Sequence, residues 1–493
     1  MVEPHRVRED RVPGGQRFVP DGTFPGARQR HRRIGRNRPI TMHWQQLLSR
    51  DRLGSQQAPT ASSARTDFQR DFDRIVFSSA FRRMQDKTQV FPLSKVDYVR
   101  TRLTHSLEAS SIGRSLGTLV GEQVIRRHRL DMVEAADLGS IVAAACLAHD
   151  IGNPPFGHSG EDAIRHWAYN ADYGARRVAL LTGSEREDFL SFEGNAQGFR
   201  IITRLQNPDN PGGLQLTCAT LAAFTKYPRE SCLGGSRFAG ISAKKQGFTA
   251  ADRASFEDVA ATVGLIPRDN QHAMWCRHPL AFLVEAADDI SYRVIDIEDG
   301  YRLGHFSYPE VLEMFWPLLK DPERQHPRLE SIRDPKDRVE FLRAKVINEV
   351  IRQVLSCFMD NEDGILAGRF DVPLLDELPA RAALDALIDN ARQRIYCAPE
   401  VVSIQAAGFQ VVSDLLERFV QVVDDVAEHG ERASPRSLML IRLVPEQFVG
   451  PDRVPVDDPY LRLLLLTDFV SGMTDSYAVS LYKKVTGISL PGS

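Results

Sequence analysis

The longest segments of this chain carry apolar residues at steps of three and four, and few runs alternate strictly as a half-buried strand requires. Ile112, Leu116, Leu119, Val120 and Val124 make one such stripe, and Val411, Leu415, Phe419 and Val422 make another. Each predicts an amphipathic helix with its apolar face on a core. A helical pattern starts near Asp67, and the run 141–148 is apolar on every side before it stops at His149-Asp150. That run predicts a helix buried all round. Breaks dense in Pro, Gly or charge fall at 206–213, 227–248, 316–338 and 433–459. The pattern as a whole predicts an all-α protein, without internal repeats.

Composition narrows the class only a little. With 493 residues, 42% apolar and 26% charged, the chain is of ordinary globular make-up, with room for two or three domains or one large one. No apolar run approaches the roughly 18 residues of a membrane span, so no membrane partner is expected. The net charge of −3 hides an uneven distribution: residues 1–41 hold ten arginines against four carboxylates, a local balance of +6 that leaves the remainder at −9. This segment lacks the apolar stretch of a secretory signal and cannot bury enough to fold. It reads as a disordered basic arm, either a nucleic-acid-binding tail or a leader preceding a start at Met42. The six cysteines are scattered, without a C-x-x-C pair. They read as reduced thiols of a cytoplasmic protein.

Four clusters could carry chemistry: Arg102-Leu-Thr-His105, His149-Asp150, Gly157-His158-Ser-Gly-Glu161, and Glu285-Ala-Ala-Asp288-Asp289-Ile-Ser-Tyr292. An ionisable pair at the end of a buried helix is costly unless it meets a partner or a metal. A mixed His/Asp set suits a divalent ion such as Mn, Fe, Zn or Mg. His158 and Glu161, three apart, share a face if a helix begins near Ser159, so the carboxylate can orient the imidazole. Asp288, Tyr292 and Asp296 are spaced four and four and fall in line along a helix. The glycine-rich stretch 235–240 is not a phosphate-cradling P-loop, because Ile241-Ser242 stands where Lys-Ser/Thr is required.

His105, His149-Asp150 and Asp288 resemble the split H…HD…D signature of the HD-domain metal phosphohydrolases. More narrowly, the strings 81–92, 100–105, 149–158, 192–197 and 471–475 (Ser-Gly-Met-Thr-Asp) resemble the bacterial deoxyguanosine triphosphate triphosphohydrolases, over about 67–482. The resemblance implies an all-helical HD core over 67–310 after a lead-in at 42–66. A helical region at 311–493 would complete the nucleotide pocket and supply oligomer contacts. It implies hydrolysis of a dNTP to a deoxynucleoside and inorganic triphosphate, with a divalent metal, Mn or Mg ahead of Fe, Co or Zn, on His105, His149, Asp150 and Asp288.

That reaction expels a poor alkoxide from phosphorus and needs an activated water and an acid. By resemblance His158 and Glu161 are catalytic, with Glu193 a third member whose other reading is an exposed carboxylate at a helix start. Arg102, Lys226, Tyr227 and Lys245 (or Lys244) match phosphate contacts, and Gln89 and Asn195 lie in matching strings as further substrate contacts. Tyr292 would pack under the deoxyribose, leaving no room for a 2′ hydroxyl, and Asp296 would accept from the 3′ hydroxyl. At the base, dGTP-preferring members would place an aromatic at Tyr396 and a glutamate where Gln405 stands. One glutamine oxygen cannot accept from both guanine N1–H and the exocyclic amine, which predicts weaker guanine preference; the other reading has Gln405 capping a turn. The resemblance also makes a homo-oligomer, and control by single-stranded DNA or a second nucleotide, part of the expectation. Two alternatives stay open: an HD phosphohydrolase acting on another nucleotide phosphoester, and a nucleotide- or nucleic-acid-sensing protein with weak activity.

Overall fold

Helices begin where a side chain can take up the first free amides. In the computed structural model, which describes residues 41–56, 64–90, 100–131, 133–235 and 238–488, Thr66 and Gln69 form a capping box that opens α1 (Asp67–Val76). Thr101 and Thr104 do the same for α2 (Arg102–His128). There follow α3 (Ala135–Ala148), α4 (His158–Asn170), α5 (Gly194–Arg200), α6 (Pro279–Arg302), α7 (Pro335–Asp360), α8 (Pro399–His429), α9 (Pro459–Ser471) and α10 (Asp475–Thr486), with shorter helices between them. Among the described residues β-pairing is confined to isolated bridges such as Thr88 with Thr101, so the fold is all-α as the sequence pattern predicts. The arm over 1–41 lies, but for Thr41, outside the described residues.

At the centre α2 and α3 pack side by side, and α6 lies against both. Gly113, Gly117 and Gly121, one helical turn apart on α2, permit the contact. A Cβ added at Gly117 would stand 2.7 Å from the Leu138 carbonyl oxygen, one at Gly113 would stand 2.6 Å from Cys146 Sγ, and one at Gly121 3.0 Å from Ala135 Cα. The predicted stripe on α2 faces this core, with Ile112, Leu116, Val120 and Val124 buried and Leu119 half-buried. The run 141–148 is buried at every position, as expected. A second apolar cluster joins α4 to α8, α9 and α10 through Trp167, Leu415, Phe419, Leu466 and Phe469. Early and late segments of the chain thus share one core, and Ile40–Ser493 packs as one unit.

Two of the predicted breaks hold α-helices. The segment 316–338 contains Pro322–Ser331 and the start of α7, and 433–459 contains Pro435–Leu440. Pro322, Pro335 and Pro435 each stand first in their helix, where the missing N–H has no partner to lose and the fixed φ suits the turn. Asp334 and Ser434 cap the last two by accepting from Lys336 N and Ser437 N. No single described helix is long and apolar enough to cross a membrane.

The close packing of α2 on α3 makes Gly117→Ala informative. The added methyl meets backbone rather than a flexible side chain, so we expect a loss of about 1–3 kcal/mol in urea unfolding. Weaker metal retention should accompany it, because the two helices carry His105 and His149.

Candidate active site

His105 projects from the first turn of α2, His149 and Asp150 follow the last turn of α3, and Asp288 lies midway along α6. One ligand atom each from His105, His149 and Asp150 falls within 4.8 Å of the others. Asp288 Oδ1 lies 3.1 Å from His105 Nε2 and 3.3 Å from His149 Nε2. His149 Nδ1 stands 2.7 Å from the Cys146 carbonyl oxygen, so its ring proton belongs there and Nε2 presents a lone pair to the centre. Two oriented imidazoles and two carboxylates fit a divalent cation.

Cations surround this donor set. Arg102 donates to Asp150 Oδ2 at 2.7 Å, and Lys226 Nζ donates to Asp288 Oδ2 at 2.6 Å. Burial pushes the Asp150 carboxyl up, but Arg102 and then the two imidazoles outweigh it and hold the group well below the usual carboxylate range. Burial would lower Lys226, yet Asp288 keeps it above the ordinary lysine range. Asn153 Nδ2 donates to Asp150 Oδ1 at 2.5 Å and fixes that carboxylate from the other side.

His158 enters at the first position of α4, after a tight turn in which Phe156 and Gly157 have φ of +62° and +59°. Gly157 has to be glycine on two counts, since a Cβ there would also lie 2.5 Å from the Arg102 guanidinium. His158 Nδ1 is 2.9 Å from Glu161 Oε2, and the side chains are 81% and 3% exposed, so an open imidazole rests on a buried carboxylate. Glu161 Oε1 accepts from Gly194 N at 2.7 Å. The hydrogen bond to Glu161, and then the charge of that carboxylate, raise the His158 pKa above its usual value. Burial pushes Glu161 up, but His158 brings it below the usual range. Glu193 does stand at a helix start, just ahead of α5, but it is half-buried and pairs with Lys245 Nζ at 2.8 Å.

One cavity of about 600 Å³ brings Arg102, His149, Asp150, His158, Glu161 and Asp288 together with Gln89, Asn195, Lys226, Tyr227, Lys244, Lys245, Tyr292, Asp296, Tyr396 and Gln405. His105 and Glu193 lie outside its lining; Glu193 faces an adjoining cavity of about 500 Å³ that also reaches His158, Glu161 and Lys245. Asp288, Tyr292 and Asp296 line the main cavity along one side of α6, as their spacing predicts. Tyr396 donates its hydroxyl to Asp296 Oδ2. Burial raises Asp296 to about 6 against that bond. Gln405 lies inside α8 rather than at a turn.

The sequence reading missed Thr88, Asn153, Phe156 and Arg392, which also line the cavity. Asn153 and Phe156 sit in the string 149–158, where the turn before His158 was the available signal. Arg392 and Tyr396 reach the cavity from a π-helical turn, Arg392–Tyr396, and nothing in a single sequence marks such a turn.

A buried His/Asp centre at helix ends beside an open His–Glu pair is the construction of a metal-dependent HD-domain hydrolase, and the HD domain family model matches residues 102–211. The chain is 48% identical over 454 residues to a deoxyguanosinetriphosphate triphosphohydrolase-like protein of Synechocystis, covering 91% of this chain and all of the relative. It is 38% identical over 453 residues to a protein of that description from Pseudomonas aeruginosa, with the same coverage. With a deoxyguanosinetriphosphate triphosphohydrolase of Enterobacter it shares 31% over 486 residues, 85% of this chain and 94% of the relative. The chain belongs to the deoxyguanosinetriphosphate triphosphohydrolase-like family of HD-domain phosphohydrolases.

Metal binding and proton transfer separate by substitution. His149→Ala and Asp150→Ala should lose bound metal together with activity. His158→Ala should keep its metal by elemental analysis and lose roughly 10²–10⁴-fold in rate; loss of the ion from that variant would make His158 a ligand.

The pH profile of kcat tests the His158–Glu161 pair. Because the His158 pKa is raised, the protonated imidazole persists to higher pH and is lost only as pH climbs through that raised value. Glu161→Gln removes the cause, so the alkaline limb should move to lower pH, and an unmoved limb would remove Glu161 from this task.

Proposed function

We propose that the protein hydrolyses a deoxynucleoside triphosphate to the deoxynucleoside and inorganic triphosphate. The observation that carries this reading is the single cavity lined by His149, Asp150 and Asp288 of the donor set, an open His–Glu pair, a row of cations and a polar aromatic end. His105, His149, Asp150 and Asp288 would hold a divalent ion, Mn or Mg first. When bound, such an ion supplies Lewis-acid charge and lowers the pKa of a water.

The rest is done by the chain itself. Arg102, Lys226, Tyr227 and Lys245 face the triphosphate, whose charge needs fixed cations. A water oxygen bonds to the α-phosphorus as the bond from that phosphorus to the sugar 5′ oxygen breaks; the departing oxygen takes a proton from His158, and the proton the water releases restores the balance. The Nδ1 of His158 is occupied by Glu161, so Nε2 is the atom that carries this proton, and the buried carboxylate stabilises the imidazolium. Tyr292 packs under the deoxyribose, Asp296 accepts from the 3′ hydroxyl with its other oxygen held by Tyr396, and Tyr396 and Gln405 meet the base. Gln89 and Asn195 complete the substrate contacts, and Glu193 tunes the Glu161 side.

The descriptions of the relatives as deoxyguanosinetriphosphate triphosphohydrolases or proteins like them support this substrate class. An HD enzyme for another nucleotide phosphoester is the competing reading; the lysines at the phosphate end and the Tyr292–Asp296 line speak against it. Assembly as a homo-oligomer, control by single-stranded DNA or a second nucleotide, and work in the cytoplasm belong to the same proposal.

The test is incubation of the purified protein with each dNTP and NTP plus Mn or Mg, resolving the products by ion chromatography. Release of intact triphosphate is expected, and its absence with every nucleotide would refute the reading. For the base, Gln405→Glu should sharpen preference for dGTP, since an unpaired guanine donor costs about 1–3 kcal/mol, roughly 5- to 150-fold in kcat/KM. An unchanged ranking of the four dNTPs would take Gln405 out of base recognition.

A further inference from the structure

The string Ser471-Gly-Met-Thr-Asp475 has no part in the chemistry above, yet it is tied to the site by buried polar contacts. It forms the corner between α9 and α10, where Thr474 caps α10 by accepting from Tyr477 N. Asp475 is 1% exposed. Its Oδ1 accepts from Phe156 N at 2.9 Å, and its Oδ2 accepts from Thr88 N at 3.0 Å and Thr88 Oγ at 2.6 Å. A second tie comes from Lys87, also buried, whose Nζ donates to the Ser471 carbonyl at 3.1 Å and to the Asn153 carbonyl at 2.5 Å. Both ends of the turn that delivers His158 therefore hang from one corner more than 300 residues away in sequence.

That turn needs such support. Phe156 occupies the left-handed region, which a side-chain-bearing residue holds only when its surroundings over-determine it. Gly408 of α8 receives the Phe156 ring so closely that a Cβ there would lie 2.3 Å from it. A carboxylate accepts only, and all three groups facing Asp475 are donors, one of them the amide of the strained residue itself.

We infer that Asp475 is a positioning residue that fixes the Phe156–Gly157 turn, and with it the place of the His158 imidazole, while the same carboxylate holds Thr88 beside Gln89. The inference rests on the reading of His158 as proton donor. Asp475→Asn replaces one acceptor by an NH₂ group, so Phe156 N or Thr88 N loses its partner.

The experiment is a double-mutant cycle on triphosphate release by the full chain, with metal content and thermal unfolding recorded for every variant. Asp475→Asn should keep its metal, unfold in a cooperative transition with a modestly lowered midpoint, and lose about 10- to 100-fold in kcat, the scale of a displacement of about 1 Å at the reacting groups. In the His158→Ala background the same substitution should cost far less, because its effect runs through the residue already removed. Asp475→Glu, which keeps the charge and moves it by one methylene, should show the same coupling. Additive losses would overturn the inference, as would loss of metal or collapse of the unfolding transition in both Asp475 variants, which would make the residue structural only. A wild type that releases no triphosphate would strike the proposed function instead.

Discussion

Three glycines on one face of α2 remove the side chains that would hold α3 away, and the meeting of His105 with His149 and Asp150 follows from that contact. With no Cβ at Gly113, Gly117 and Gly121, the helices meet nearly backbone to backbone, and His105 at one end of α2 comes beside His149 at the end of α3, ring centroids 5.2 Å apart. α6 then lies over both and lowers Asp288 onto the two imidazoles. A larger side chain anywhere on the glycine line would separate the ligands before it touched one, because a packed interior transmits displacement rather than absorbing it.

Concentrating ionisable groups in a dry place raises a second constraint. Two carboxylates brought together out of water favour taking up a proton over both staying charged. Here Arg102 faces Asp150 and Lys226 faces Asp288, so each acid keeps its charge through a partner of its own. Arg102 does more than balance charge: its guanidinium also fills the space over Gly157 where any side chain would stand. A lysine there would keep the charge but lose the flat surface on which the His158 turn rests.

What could be read from the sequence is what repeats locally. The apolar stripes of α2 and α8, the buried run before His149, the three-residue step from His158 to Glu161 and the four-residue steps along α6 are short-range periodicities, and the structure keeps them all. Contrary signals hid the rest. Glycine in a helix reads as a weak point, yet on α2 it is the packing face. Proline reads as a stop, yet Pro322, Pro335 and Pro435 open helices. The left-handed Phe156, the π-helical turn at Arg392–Tyr396 and the reach of Asp475 back to Thr88 depend on chain segments far apart in sequence, and periodicity carries no trace of them.

The cavity is divided by chain segment. Its metal and phosphate end comes from α2, α3, α4 and α6 and from the segment 226–245, within the first 300 or so residues. Its far end takes Arg392, Tyr396 and Gln405 from a π-helical turn and the start of α8. Between them the Tyr396 hydroxyl donates to Asp296, Ser159 Oγ donates to the Gln405 carbonyl at 2.8 Å, and the Phe156 ring packs on Gly408. None of these contacts touches a side chain of the His105, His149, Asp150 and Asp288 set, so substitutions at Tyr396 or Gln405 should alter which group is accepted there while the ligands stay in place. Asp296 is the exception. It lies two turns from Asp288 on a single rigid rod, so whatever shifts it through Tyr396 is felt by the carboxylate that both imidazoles share.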